Sequence, residues 1–185
     1  MNKIVTSKEE ILKVSKALIK EEGWKAINIR TVADKGNISI GSVYNYFKSK
    51  GDLVSSTIES IWGEIFLSHA GGHKFESFLD AIDYVSEAFR RGNELYPGFF
   101  TLHAMSFSSS DKESGKIHMA KAQQHMKQNL LKVLGADSAV RADAFNDVLT
   151  PEALVDILFS NIFFSSMQGN FDFNALREMV KKLIY

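Results

Sequence analysis

Cysteine is absent from the 185 residues, which excludes disulfides and cysteine-based zinc sites and fits a reducing cytoplasm. Proline occurs only at Pro97 and Pro151, so little interrupts long helices. No apolar run is suited to crossing a membrane. The richest stretch, ALVDILFSNIFFSSM from Ala153 to Met167, is short and carries Asp156 and Asn161. The amino-terminal MNKIVTSKEE lacks the apolar core of a secretion signal, so a cytoplasmic location is expected. No nucleophile–base–orienter pattern, phosphate loop or metal signature stands out, so neither an enzyme nor a cofactor is expected. His69 and His73 are separated partly by two glycines, which favours a polar loop over a metal site.

Net charge is also lacking, at zero, but its distribution is uneven. Residues 1–51 carry +5 and the remainder −5. A basic end on an acidic body is the asymmetry expected when one end meets phosphates.

What is present centres on residues 28–50, NIRTVADKGNISIGSVYNYFKSK. The pattern predicts a short helix from Ile29 to Gly36, capped by Asn28, and a turn at Gly36-Asn37-Ile38. A second short helix, capped by Ser39, is predicted to run to about Phe47. Val32, Ala33, Ile38, Val43 and Phe47 are spaced to pack the two helices together. Such a helix-turn-helix lays its second helix in the DNA major groove. Once Val43 and Phe47 point inward, Ile40, Gly41, Ser42, Tyr44, Asn45 and Tyr46 are left on the outside. Gly41 costs a helix about 1 kcal/mol against alanine, which a close backbone approach to a partner would explain. Lys48 and Lys50 sit at the start of the next helix, whose backbone N–H groups also favour an anion.

Residues 23–53 resemble the amino-terminal DNA-binding region of TetR-type transcriptional regulators. The similarity is carried by Gly23, Val32-Ala33, Ile38-Ser39, Gly41 and the run Tyr44-x-x-Phe47-x-x-Lys50, with Leu53 following. It covers roughly the first 55 residues; beyond them only length and a helical pattern agree. The chain departs from the family in Gly36-Asn37 at the turn, Asn28 as the cap and Gly51 after the lysine. The resemblance implies an all-α protein of about nine helices. A three-helix DNA-binding domain over residues 1–49 would precede a helical effector-binding and dimerisation domain over residues 50–185.

In chain order, Ser7-x-x-Glu10 opens a first helix from Lys8 to Glu22, which Gly23 stops. A fourth helix is expected from about Lys50 to Ser68, linking the two domains, and a fifth from Phe75 to Tyr96. Pro97 would start a sixth, PGFFTLHAMSF. Residues 108–115 read as a loop, and a seventh helix as Lys116 to Leu134. A short helical piece is expected around Ala139 to Asn146, followed by two last helices, Ala153 to Met167 and Phe173 to Ile184.

The middle helices are rich in aromatic and methionine side chains. By resemblance they would surround a small-molecule pocket, with Trp62, Phe66, Phe89, Phe99, Phe100, His103, Met119 and Met126 as candidate walls for an apolar or aromatic ligand. Glu64, Glu87, His103, His118 and Gln123 are polar groups that could orient it, and His118 and His125 are read as surface residues. The last two helices imply a dimer interface, with Leu154, Leu158, Ile162, Phe163, Leu176 and Val180 as its candidates. In a docked complex Ile40, Gly41, Ser42 and Asn45 would approach bases, with Ser39 a further DNA-binding candidate. Asn28, Tyr44, Tyr46, Lys48 and Lys50 would hold phosphates, and Arg30 could do either.

The expected function is that of a homodimeric transcriptional repressor, released from a palindromic double-stranded DNA operator by a small ligand, with no membrane partner. A packed core and a pocket look alike in sequence. A DNA-binding regulator or scaffold with no small-molecule effector therefore stands as the alternative.

Overall fold

The computed structural model describes residues 6–66, 74–100 and 112–185, with the backbone alone for 112–122. The described residues form eight α-helices and no strand. They are α1 (Lys8–Glu22), α2 (Ile29–Lys35), α3 (Ile40–Tyr44), α4 (Lys50–Phe66), α5 (Phe78–Leu95), α6 (Lys112–Ala136), α7 (Pro151–Met167) and α8 (Asn174–Ile184).

Local chemistry sets most of the boundaries. The Ser7 hydroxyl accepts the Glu10 N–H at 3.1 Å, and Gly23 ends α1 at φ 80°, where a side chain would be strained. A single 3₁₀ turn, Trp24–Ala26, leads to α2. There the Asn28 side chain accepts the N–H groups of Arg30 and Thr31, both at 3.0 Å, while the Thr31 hydroxyl accepts the Asn28 N–H. Asn37 takes φ 50° in the turn before α3, a conformation asparagine tolerates. Ser77 and Thr150 cap α5 and α7 in the same way, and Pro151 occupies the first position of α7.

One apolar core runs through the chain. Over residues 11–47 it holds Ile11, Leu18, Ile19, Ile27, Val32, Ala33, Val43 and Phe47, each at most 2% exposed. α4 carries the core into the body through Leu53, Ile61 and Ile65. α4 and α5 pack closely at Gly92, where a Cβ would lie 2.7 Å from Ile65 Cδ1.

The first three helices are also fastened to the body directly. Lys16 of α1 donates to Glu64 of α4 at 2.6 Å, with Lys20 Nζ 3.5 Å from the same carboxylate. Lys20 lies 4.6 Å from the centre of the Tyr96 ring, and Trp24 stacks on Phe99 with centroids 5.6 Å apart. Burial alone would raise the Glu64 pKa, but the Lys16 ammonium and the neighbouring Tyr96 hydroxyl outweigh it and hold the carboxyl below its usual range. Burial and the adjacent Glu64 charge push the Tyr96 hydroxyl far up.

Several expectations change. α3 stops at Tyr44 rather than Phe47, because Ser49 already caps α4 and the chain must turn through Asn45 and Tyr46. α6 begins at Lys112 and takes in Gly115, so residues 112–115 are helix rather than loop. No helix forms between Ala139 and Asn146. Asp137 instead accepts the Phe78 N–H at 2.7 Å and the Ala139 N–H at 3.0 Å, and Arg141 bonds the Leu183 carbonyl at 2.6 Å. These contacts pull the segment into turns. Phe99 and Phe100 are helical, whereas residues 101–107 of the expected sixth helix and the His69–His73 stretch lie outside the described residues. No described helix is long and apolar enough to cross a membrane.

Candidate nucleic-acid interface

α3 is five residues long and has two unlike sides. Val43 and the following Phe47 are fully buried in the core, and α3 packs on α2. On the other side Ile40 is 41% exposed and Tyr44 52%, with Gly41 and Asn45 exposed beside them. A Cβ on Gly41 would meet only Ser39 Oγ, at 3.6 Å, so nothing among the described residues requires glycine there. The Ser39 hydroxyl accepts the Ser42 N–H at 3.0 Å and lies 2.8 Å from the Ser42 hydroxyl. Ser42, expected to approach bases, and Ser39, a further DNA-binding candidate, are thus partly engaged with each other.

Arg30, Lys48 and Lys50 are exposed and carry no ion pair among the described residues. They are available to phosphates. Other members of the expected phosphate set are not free in the same way. Asn28 spends its carbonyl on the α2 cap and keeps only its NH₂. The Tyr46 hydroxyl donates to the Thr6 carbonyl at 2.6 Å. A phosphate offers only acceptors, so Tyr46 cannot donate to one while that bond holds. The first turn of α4, expected to attract an anion, already holds one. The Asp52 carboxylate accepts the Lys48 N–H at 2.8 Å, while the Asp52 N–H goes to Ser49 at 3.0 Å. The Tyr46–Thr6 link joins residues forty apart and had no signal in the sequence. The Asp52 cap had one, in Ser49-x-x-Asp52.

The candidate effector walls come together as an aromatic cluster. Trp62 lies 5.1 Å from Phe66, 5.4 Å from Phe99 and 5.8 Å from Phe100, and Phe89 stacks on Phe100 at 4.8 Å. All five are at most 7% exposed, so the rings cover one another. Met126 is half-buried against this core, while the side chains of His103, Met119 and His118 lie outside the described residues. Glu64 faces the α1 lysines and Glu87 pairs with Arg90 on the surface, so neither points into the cluster. His125 is exposed and Gln123 half-buried.

The candidate dimer residues divide. Leu154, Leu158, Ile162 and Val180 are at most 2% exposed within their own chain, and Phe163 and Leu176 are half-buried. The outward apolar residues of α7 and α8 are Ile157 at 55%, Phe164 at 60% and Met179 at 49% exposed. Choosing the strongest apolar stripe selects the inward face. Ile157 and Phe164, seven apart on the opposite side, were the readable signal for the outward one.

Residues 11–57 match the family model for bacterial regulatory proteins of the tetR family. The HTH-type transcriptional repressor KstR2 of Mycolicibacterium smegmatis is 30% identical over 59 residues, 32% of this chain and 29% of that protein. The chain thus spans less than a third of that relative's length. The crystal structure of the transcriptional regulator FadR from Bacillus subtilis, in complex with stearoyl-CoA, superimposes with a TM-score of 0.63 at 16% identity, over 96% of this chain and 97% of that one. BioQ with its double-stranded DNA operator gives 0.61 at 13% identity, over 97% and 98%. These two likenesses show the fold. With the helix-turn-helix in place and the matching motif in its own residues, residues 11–57 form the amino-terminal region of the tetR family of bacterial regulatory proteins.

Proposed function

We propose that the protein is a homodimeric DNA-binding transcriptional repressor of the cytoplasm, released from a palindromic operator by a small apolar or aromatic ligand, and not an enzyme. The observation that carries the reading is the outward side of α3. It exposes Ile40, Tyr44 and Asn45 around a glycine that nothing among the described residues requires, beside Arg30, Lys48 and Lys50, which form no ion pair among the described residues. A surface with no structural reason for its residues is best explained by a partner, and duplex DNA fits the motif. BioQ, a protein of the same fold, is bound to its operator.

Two copies reading a palindrome must place their α3 helices roughly 34–36 Å apart. Ile157, Phe164 and Met179 supply the apolar surface for pairing. Ligand entering the aromatic cluster would move α4 and Phe99, and so the first three helices, which are fastened to them by the Lys16–Glu64 pair and the Trp24–Phe99 stack. The ligand must bind the released arrangement better, or it shifts nothing. FadR, with the same fold, holds stearoyl-CoA, which supports an apolar effector here. The dense packing of Trp62, Phe66, Phe89, Phe99 and Phe100 supports the second reading, a regulator without effector.

Sedimentation of wild type and of the Ile157→Glu, Phe164→Glu variant tests the pairing. The expected result is a dimer converted to monomer with loss of tight operator binding. A variant that remains dimeric would remove α7 from the interface. Thermal shift with fatty acyl compounds and flat aromatics separates the two effector readings, and no shift with any of them favours the second.

A further inference from the structure

α3 and its flanks, from Ser39 to Asn45, carry no charged side chain. The commonest base-specific contact is an Arg or Lys on guanine O6 and N7, and cytosine N4 is read by carboxylates. Neither chemistry exists on this helix. Two others do. Ile40, the first residue of α3, is an aliphatic side chain that the fold leaves 41% exposed, and aliphatic groups match the thymine C5 methyl. Asn45 caps the helix at its other end, exposed, with its amide in no hydrogen bond among the described residues. An asparagine amide matches adenine, donating to N7 and accepting from N6. Between them, Gly41 presents no Cβ and lets the backbone come close, while Ser39 and Ser42 share a hydrogen bond of 2.8 Å.

Given that the protein is a DNA-binding regulator, on which the inference rests, we infer that α3 reads A·T pairs, with Ile40 packed on a thymine methyl and Asn45 forked onto an adenine. Any guanine in the half-site is contacted from off the helix, by Arg30.

The experiment is selection from a pool of randomised duplexes by wild type, Ile40→Ala and Asn45→Ala, followed by one chemical edit. Each variant should flatten the preference at its own position, and wild type should show A·T at both. Asn45→Ala should lose on the order of ten-fold preference for adenine. Replacing the Ile40-dependent thymine by deoxyuridine removes one methyl group. It should weaken wild type about four-fold, the worth of one buried methyl, and leave Ile40→Ala unchanged. Both side chains are exposed, so unchanged helical content and melting temperature confirm that the variants fold. G·C at those positions would overturn the inference alone, as would equal binding of the thymine and uracil duplexes by wild type. An equal loss in wild type and Ile40→Ala would assign the methyl to another residue and also overturn it. Failure to enrich any duplex would overturn it together with the regulator reading.

Discussion

The molecule has two concentrations of large side chains, and they differ in what covers them. In the body, Trp62, Phe66, Phe89, Phe99 and Phe100 cover one another and are at most 7% exposed. On α3, Ile40 and Tyr44 are 41% and 52% exposed and lie outside the core, and a Cβ on Gly41 would meet only Ser39 among the described residues. The first group is accounted for by folding and the second is not. Residues of the body cluster should therefore report on stability first. Those of α3 should report on binding with stability untouched.

The largest expected effect is on the covered side. Phe89→Ala removes a ring that is 0% exposed and should cost roughly 3–5 kcal/mol in denaturant unfolding. Tyr44→Ala, measured in the same way, should stay within about 0.5 kcal/mol. Similar losses for the two would erase the distinction.

The glycines sharpen it. At Gly92 an added methyl meets Ile65 Cδ1 at 2.7 Å, and Gly92→Ala should be destabilising by about 1–3 kcal/mol through overpacking, less any gain in helix propensity. At Gly41 the nearest atom is 3.6 Å away, so Gly41→Ala should stabilise by up to about 1 kcal/mol and yet bind DNA more weakly. A Gly41→Ala protein that is both more stable and equally good at binding would mean that the backbone makes no close approach there.

DNA titrations divide the outward face further. If Tyr44 and Lys50 hold phosphates as proposed, Tyr44→Phe and Lys50→Ala should weaken matched and mismatched duplexes alike. Asn45→Ala should change which base is preferred. Equal losses for all three on both duplexes would contradict that division of labour.

The smallest effect lies at the seam between the two regions. Glu64 has its pKa lowered in the folded state, so its contribution is present above the ordinary carboxylate pKa of 4.5 and is lost as pH falls through the folded value. The side chain is 30% exposed, which limits its worth to below about 1 kcal/mol. Glu64→Gln should melt slightly lower than wild type at pH 7, with the gap closing towards pH 3. A gap independent of pH would show that the Lys16 pair is not its source.

The same contrast governs what was readable in the sequence. The helix-turn-helix was legible because its signals are short-range: caps at Ser7, Asn28 and Ser39, a turn at Asn37, and outward residues identified by subtraction from Val43 and Phe47. The aromatic cluster was legible as a set of residues, but periodicity cannot tell a filled space from an open one. The outward face of the last two helices was harder to read, because Leu154, Leu158, Ile162 and Val180 form the stronger stripe and that stripe serves the chain's own core. Contacts that close over long stretches of chain left no local trace. Asp137 gathers the start of α5 and the Tyr185 hydroxyl, Arg141 holds the end of α8, and Tyr46 reaches Thr6. They determine why residues 137–150 form turns and why Tyr46 is unavailable as a donor.

The most direct measurement is binding of the purified protein to DNA from just upstream of its own gene, titrated across salt beside a scrambled duplex. Tight binding of the upstream duplex at two chains or more per site, with the scrambled duplex bound only weakly and in a salt-sensitive manner, is the expected result. Equal weak binding to both, or none at low salt, would contradict the assignment of the outward side of α3 to a DNA operator at that position.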